Sequence, residues 1–224
     1  MEEKTIKTNT EIVYNKIKTK ILTCEYMPGQ LLSEKEIVDG LDTSRTPVRE
    51  ALSMLNGQKL IRIIYNKGIQ ISPLSARRVR EVYELRRILE PLSIKYAIKY
   101  IKQNDIDNLF KLDENLSTSV DCEDVLNIFK YGMDIHLYIA KLAHHETLLD
   151  HIKILRDESY RSQVFYVKKY LDICNEEEKN KILEPLRGGH KGLTLALSEK
   201  NEEKAIKYLL EDLSSINDTI ANID

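Results

Sequence analysis

Two histidines and one aspartate in the C-terminal half of the chain have the types and spacing of a metal site. His136 and His190 each lie on a run of apolar residues spaced by three and four, which predicts the buried face of a helix. Asp212 lies on a third such face. A buried carboxylate is costly unless it is paired or bound to metal. His136, His190 and Asp212 are therefore candidate ligands of a divalent metal inside a helical domain.

The same three residues can also be interpreted as core residues that bind no metal. A histidine on an apolar face is commonly a core residue that hydrogen-bonds to its neighbours, and Asp212 has a second candidate partner in Arg86. Arg86 is the lone cation on the predicted buried face of an earlier helix, with Val79, Val82 and Leu89. Spacing alone leaves both alternatives open.

A second group of residues has side chains suited to contacts with nucleic acid. A helix that begins at Ser44 or Thr46 advances about 100° per residue, so Val48, Ala51, Leu52 and Leu55 fall on one arc. The neighbouring arc has no large apolar group and carries hydrogen-bonding side chains: Arg45, Thr46, Arg49, Ser53 and Asn56. Such groups reach phosphates and base edges. The alternative is a solvated helix face.

Two further helices are predicted before this one. The first runs from about Glu11 to Leu22, on the spacing of its apolar residues. The capping box Ser33-x-x-Glu36 begins the second, which ends near Gly40-Leu41. Asp42-Thr43 then make a tight turn, so the second helix and the polar one form a helix-turn-helix.

A small hairpin is predicted after the polar helix. Two extended runs, Leu60 to Tyr65 and Ile69 to Ser72, flank Asn66-Lys67-Gly68, which suits a hairpin turn. A two-stranded hairpin is marginal alone, so it should pack on the helices as a wing. Lys67 at its tip would meet a phosphate or a minor groove, or is simply a surface lysine.

The remainder of the chain is predicted to be helical, with few breakers. The expected helices run from Ser75 to about Ile101, from Asn104 to about Leu116, from Asp121 to about Ala143, from Thr147 to about Ile173, from Glu176 to Glu199 with breaks at Pro185 and Gly188-Gly189, and from Asn201 to about Ala221. Helices of this length joined by short loops indicate an antiparallel bundle.

Composition limits the class of protein. The 224 residues allow two modest domains, and the hydrophobic fraction of 42% with 31% charged residues is typical of a globular protein. The segment 1–75 carries 11 basic and 9 acidic residues, a charge of +2, so the placement of its cations must matter more than their number. Three scattered cysteines, no apolar run of membrane-spanning length and no signal-peptide pattern favour a cytoplasmic protein without a membrane partner.

A family resemblance follows from the N-terminal motifs. The run Pro28-Gly29-x-x-Leu32-Ser33-Glu34, the string Ser44-Arg45-Thr46-Pro47-Val48-Arg49-Glu50-Ala51-Leu52 and then Gly68 resemble the winged helix-turn-helix head of GntR-family bacterial transcription regulators. The likeness covers about Val13 to Ser72. It implies that the DNA contacts come from Ser44, Arg45, Thr46 and Arg49, with Lys35, Lys67 and Gly68 in support.

The C-terminal part resembles the helical effector domain, called FCD, of the FadR branch of that family. The resemblance rests on Val82 to Glu90, on Ile135-His136 and on Gly189-His190. Many FCD domains hold a divalent metal through an Asp, a His four residues later and two further histidines. This chain matches that pattern at His136 and His190 but has Gly132 at the first position and Asp212 at the last.

The resulting hypothesis is a mainly α protein with a winged helix-turn-helix domain, residues 1–74, and an antiparallel all-helical domain, residues 75–224, that dimerises and binds an effector. The homodimer would bind a pseudo-palindromic operator in double-stranded DNA. A small organic acid would contact Arg86, His136, His190 and Asp212, with or without one divalent ion (Zn, Ni, Mn or Fe). The alternatives are a metal-free regulator that senses another ligand or only dimerises, and a 2-His-1-Asp metalloenzyme.

Overall fold

The computed structural model describes the backbone of residues 8–221 and the side chains of residues 8–214. The chain divides into two compact units, with the boundary between Ser75 and Ala76. Among the described residues no helix is long and apolar enough to cross a membrane.

The described part of the first unit contains the helices α1 (Asn9–Leu22), α2 (Glu34–Leu41) and α3 (Arg45–Gly57). The predicted capping box begins α2, because Ser33 Oγ accepts from the Glu36 amide and the Glu36 carboxylate accepts from the Ser33 amide. Asp42 ends α2 in the left-handed conformation, which turns the chain tightly into α3. The predicted helix-turn-helix is therefore confirmed.

The hydrophobic core of this unit lies between α1 and α3. The buried faces of the two helices carry Ile17 and Ile21 on one side and Val48 and Leu55 on the other. Burying a side chain of this size stabilises the fold by about 1.5–3 kcal/mol. The opposite arc of α3 remains at the surface as a result.

The wing has one strand more than the sequence predicted. Its strands are β1 (Leu31–Leu32), β2 (Ile61–Ile64) and β3 (Gly68–Ile71), in the antiparallel order β1-β3-β2. The expected hairpin is β2 and β3, whose register pairs Ile61 with Ile71. Strand β1 was missed because two residues are too few for a period of two to be visible.

The second unit is built from seven helices and a single 3₁₀ turn within the described residues. They are α4 (Ala76–Ala97), α5 (Gln103–Asp121), α6 (Val125–Leu142), α7 (Glu146–Leu171), α8 (Glu176–Leu183), the 3₁₀ turn Glu184–Leu186, α9 (Lys191–Ser198) and α10 (Glu202–Ala221). The all-helical architecture is as predicted, and the breaks at Pro185 and Gly188-Gly189 separate α8, the turn and α9.

Several predicted helix boundaries in this unit are wrong. Helix α4 ends at Ala97 rather than near Ile101, and Lys102 rather than Asn104 precedes α5. Helix α5 continues to Asp121, and Asp124 rather than Asp121 caps α6 by accepting from the Asn127 amide. Either aspartate suits an N-cap, and only the buried position of Ser119 and Val120 on α5 distinguishes them. The side chains of Ile216 and Ile220, expected on the same face as Asp212, lie outside the described residues.

Candidate nucleic-acid interface and candidate metal centre

The polar arc of α3 is exposed along its whole first half. Ser44, Arg45, Thr46 and Arg49 are all exposed, while Val48 and the rest of the apolar arc are buried. Ser44 is the N-cap residue of α3, but its side chain makes no capping hydrogen bond. The start of α3 therefore offers amide and hydroxyl donors together with two arginines, a combination that suits a phosphate or a base edge.

Arg49 differs from Arg45 in having a carboxylate partner. Its Nε donates to both carboxylate oxygens of Glu34 on α2, at 2.9 and 3.0 Å. The pair links the two helices of the motif. It lies at the surface, where such a pair contributes at most about 1 kcal/mol to stability.

The supporting residues of the motif are also at the surface. Lys35 on α2 and Lys67 in the β2–β3 turn are exposed. Gly68 has a φ of 98°, and a Cβ at this position would lie 2.5 Å from the Leu32 carbonyl oxygen of β1. Glycine is therefore required here for the wing to pack against β1.

The three candidate metal ligands converge inside the second unit. His136 on α6, His190 at the start of α9 and Asp212 on α10 place one ligand atom each within 4.8 Å of one another. The His136 Nε2 atom lies 3.0 Å from His190 Nε2 and 3.2 Å from an Asp212 carboxylate oxygen, and His190 Nε2 lies 3.6 Å from the other oxygen.

These distances fit a divalent ion. Two ligand atoms about 2.1 Å from one ion lie about 3.0 Å apart at a right angle and about 3.4 Å apart at the tetrahedral angle. The separations of the His136, His190 and Asp212 atoms fall close to this range. Two nitrogens and one carboxylate oxygen are also a donor set that divalent transition metals accept.

Arg86 pairs with Glu90 and not with Asp212, the partner considered from the sequence. Arg86 Nε donates to Glu90 Oε1 at 2.6 Å, one turn away on α4, and both side chains are fully buried. Glu90 Oε2 lies 2.5 Å from His136 Nδ1, and Arg156 Nη1 of α7 lies 3.8 Å from Glu90 Oε1. Asp212 faces the two histidines instead.

Glu90 and Arg156 are the members of this cluster that the sequence reasoning missed. Glu90 lies four residues after Arg86, the spacing of an ion pair on one helix face. Arg156 lies four residues after the buried Ile152 and three before the buried Ser159. The same search for charged residues on apolar faces, extended to these helices, would have found both.

Burial and charge shift the pKa of each group in the site. Burial opposes a charge on His136, but Glu90 and Asp212 outweigh it and raise the His136 pKa to about 9. Burial lowers the pKa of His190 to about 4; Asp212 opposes this shift, and the positive charges of His136 and Arg86 add to it. Burial alone would raise the pKa of Asp212, but His190, His136 and Arg86 hold it at about 2. A protonated His136 thus lies beside an ionised Asp212 and a neutral His190.

A small cavity adjoins the three groups. Its volume is about 20 Å³, and its lining includes Gly132, His136, Arg156, His190 and Asp212. A space of this size holds about one water molecule. Gly132 lies one helical turn before His136, so the position where the FCD pattern has an aspartate contributes only backbone here.

Comparison with known proteins identifies the family. The model for bacterial regulatory proteins of the gntR family matches residues 9–71, and the model for the FCD domain matches residues 81–215. The chain belongs to the GntR family of transcription regulators, with an FCD domain. Both resemblances that the sequence suggested are therefore confirmed.

Relatives of similar length agree with this assignment. The Nta operon transcriptional regulator of Aminobacter aminovorans is 26% identical over 200 residues, which cover 88% of each chain. The transcriptional repressor RspR of Escherichia coli is 22% identical over 214 residues, covering 94% of this chain and 88% of that one.

Solved structures share the fold. McbR/YncC of E. coli has a TM-score of 0.81 with 22% identity and covers 97% of this chain and 98% of its own. A GntR regulator of Rhodococcus sp. RHA1 has a TM-score of 0.76 with 19% identity and covers 96% of this chain and 99% of its own. The two family models and the related regulators show that this GntR protein is a DNA-binding transcription regulator. The metalloenzyme alternative is set aside, because both family models and these relatives are regulators.

Proposed function

We propose that this GntR regulator binds a pseudo-palindromic operator as a homodimer, and that a small carboxylate effector in the FCD domain controls its affinity, with one divalent metal ion at His136, His190 and Asp212. The observation that carries the metal assignment is that His136, His190 and Asp212 each place one ligand atom within 4.8 Å of the others, with the two histidine Nε2 atoms 3.0 Å apart.

The ion would replace a proton that the site holds in its absence. His136 Nε2 lies 3.0 Å from His190 Nε2 and 3.2 Å from an Asp212 oxygen, so a proton on this nitrogen lies where a cation would be held. A bound ion supplies a concentrated positive charge and a coordination position for an oxygen ligand. Gly132 leaves room on that side of the cavity, since a Cβ there would meet His190 and Leu116 only at 3.7 Å.

The charge of the cluster favours an anionic effector. Arg86, Arg156 and protonated His136 are positive, while Glu90 and Asp212 are negative, so these five groups together carry one excess positive charge. Among the described residues, both Nη atoms of Arg86 and Nε of Arg156 are buried without a hydrogen-bond partner. Buried donors without partners are costly, and a carboxylate in the cavity would satisfy Arg156 Nε, since Arg156 lines the cavity while Arg86 lies outside its lining.

Effector binding must change the shape of the domain. The cavity of about 20 Å³ accepts one water or one ion, so an organic acid enters only if the lining moves. The lining includes Leu186, Gly189 and His190, at the break between the 3₁₀ turn and α9. An effector that stabilises the enlarged form shifts the population of conformations, and the placement of the two DNA-binding heads would follow from that shift.

A metal-free sensor is the second candidate. It is favoured by the charges of the site, because His136 Nδ1 lies 2.5 Å from a Glu90 oxygen and its Nε2 lies 3.2 Å from an Asp212 oxygen. The charge of protonated His136 then offsets the charge of Asp212 without a metal ion. In this case Arg156, which lines the cavity, would bind the carboxylate directly.

Dimerisation is supported by one face of α4. Leu85 and Ile88 lie three residues apart and so share a face, while Leu92, one turn further on, packs partly against the core of the helical unit. Leu85 is 47% exposed and Ile88 is 65% exposed, which is unfavourable for apolar side chains in water. The charge of only +2 in residues 1–75 makes strong binding by a single head unexpected, so a second copy on this face would both cover these side chains and supply the second head.

Metal content of the purified protein tests the metal assignment. We expect about one divalent ion per chain, measured by elemental mass spectrometry, in wild type and its loss in His136→Ala, because two ligands do not hold an ion tightly. His151→Ala is the matched control, since His151 is exposed and bonds only to the Thr147 carbonyl among the described residues. A wild-type protein that stays metal-free after incubation with zinc, nickel, manganese or ferrous ion, but is stabilised by a carboxylate, would establish the metal-free alternative.

A further inference from the structure

One buried carboxylate connects three helices around the candidate metal site. Glu90 of α4 is 2% exposed and lies against Arg86 of the same helix, His136 of α6 and Arg156 of α7. Its two oxygens are divided between these neighbours, since Oε1 accepts from Arg86 Nε and Oε2 faces His136 Nδ1. Glu90 lies outside the set of three ligand residues.

The contact with Glu90 determines which nitrogen of His136 faces the cavity. An ionised carboxylate only accepts hydrogen bonds, so the Nδ1 atom at 2.5 Å must carry a proton. The other nitrogen, Nε2, is the one beside His190 and Asp212. His190 lacks such support, because its Nδ1 is buried without a hydrogen-bond partner among the described residues.

We propose that Glu90 is a positioning residue that sets the metal affinity of the site by keeping a proton on His136 Nδ1 and leaving Nε2 as the ligand atom. The proposal rests on the metal-binding role proposed for His136. A hydrogen bond of this kind fixes both the tautomer and the orientation of the ring, and its loss typically weakens metal binding about 10- to 100-fold.

Replacing Glu90 by glutamine removes one of the two acceptors without changing the size of the side chain. A glutamine has a single acceptor oxygen, while Arg86 Nε and His136 Nδ1 both donate. Arginine is always protonated and keeps that oxygen. The amide NH₂ group then faces His136 Nδ1 as a donor, so Nδ1 must accept and the neutral ring keeps its only proton on Nε2, where it blocks the ligand atom.

Cobalt(II) is a suitable probe, because its binding can be followed by visible absorption and by competition with a chelator. We expect Glu90→Gln to bind cobalt about 10- to 100-fold more weakly than wild type. Glu158→Gln is the matched control, since Glu158 also pairs with an arginine, Arg78 at 2.6 Å, but lies outside the cavity lining. The control should bind cobalt like wild type.

The double variant Arg86→Met with Glu90→Gln distinguishes proton placement from a general effect of charge. Arg86→Met removes the donor that competes for the glutamine oxygen. It also removes the buried cation that Glu90→Gln alone would leave without a charged partner, and so avoids that loss of stability. The glutamine oxygen is then available to His136 Nδ1, so cobalt affinity should recover most of its loss. A double variant that binds as weakly as Glu90→Gln, or a single variant that binds as tightly as wild type, would overturn the proposal.

Nitrogen-15 NMR of the metal-free proteins separates this inference from the metal assignment itself. The imidazole spectrum of wild type should show a proton on His136 Nδ1, and that proton should be absent in Glu90→Gln and present again in the double variant. If wild type binds no cobalt, the metal assignment fails while the NMR result still decides whether Glu90 controls His136. An unprotonated Nδ1 in metal-free wild type would overturn the inference whatever the protein binds.

Discussion

At the scale of single residues, the two arginines of α3 have different surroundings. Arg49 is paired with Glu34, whereas Arg45 is exposed and has no ion-pair partner among the described residues. Both residues were selected from the sequence by their positions on one helical arc. Their different environments were not visible there, since Glu34 lies 15 residues away on another helix.

Replacing Arg45 tests the DNA-binding surface most directly. If Arg45 makes a bidentate contact with a base, Arg45→Ala should weaken operator binding by about 1–3 kcal/mol. Arg45→Lys keeps the charge but not the planar fork, so it should retain binding to random DNA and lose discrimination. Fluorescence anisotropy with operator and scrambled duplexes measures both, and an unchanged operator affinity in Arg45→Ala would contradict the assignment.

Gly132 offers a gain of function at the metal site. It occupies the position of the first aspartate in the FCD pattern, and a Cβ there makes only ordinary contacts at 3.7 Å. Gly132→Asp should add a fourth ligand and tighten metal binding by roughly tenfold or more. Gly132→Asn, similar in size but uncharged, should give a smaller gain in the same chelator competition. Equal affinities for wild type and Gly132→Asp would show that the cavity is not the coordination site.

At the scale of elements, local signals predicted most helices, because caps and apolar spacing act over a few residues. Asn201 begins α10 by accepting from the Lys204 amide, and Ser33 begins α2, both as expected. The element that the sequence did not reveal, β1, is held by its pairing with β3. Its existence depends on residues far along the chain, since Leu31 pairs with Gln70.

The contact between β1 and β3 makes Gly68 sensitive to substitution. Gly68→Ala would place a methyl group 2.5 Å from the Leu32 carbonyl oxygen at a φ of 98°. We expect the free energy of unfolding to fall by more than about 1 kcal/mol in chemical denaturation, and operator affinity to fall with it.

Gly57→Ala provides the control for this prediction. A Cβ at Gly57, the last residue of α3, meets nothing within 4 Å and its φ is not positive. This variant should be neutral or slightly more stable. Equal denaturation midpoints for Gly68→Ala and wild type would mean that the wing does not need the glycine.

At the scale of the whole molecule, the proposed regulation requires two copies of the chain. The helical unit supplies the exposed apolar face of α4, and the N-terminal unit supplies heads of small net charge. Two-fold symmetry in the protein would match two-fold symmetry in the operator.

A charge on the α4 face should prevent dimerisation. Ile88→Glu would bury a carboxylate without a partner in the proposed interface, so the protein should become monomeric and lose most of its operator affinity while single half-site binding is retained. Ile173→Glu is the control, because Ile173 is also exposed, at 78%, but follows the end of α7. Sedimentation measurements give the oligomeric state of both variants, and a dimeric Ile88→Glu would place the interface elsewhere.

The sequence by itself determined the helical and winged architecture, the polar arc of α3 and the three residues His136, His190 and Asp212, because these follow from local caps, from helical periodicity and from specific motifs. Only the tertiary structure decided which charges meet. Arg86 pairs with Glu90 rather than Asp212, and Glu90 reaches His136 across 46 residues of chain. The spacing of apolar residues predicts which face of a helix is buried. Which side chain a buried charge meets on that face depends on how the helices pack against one another.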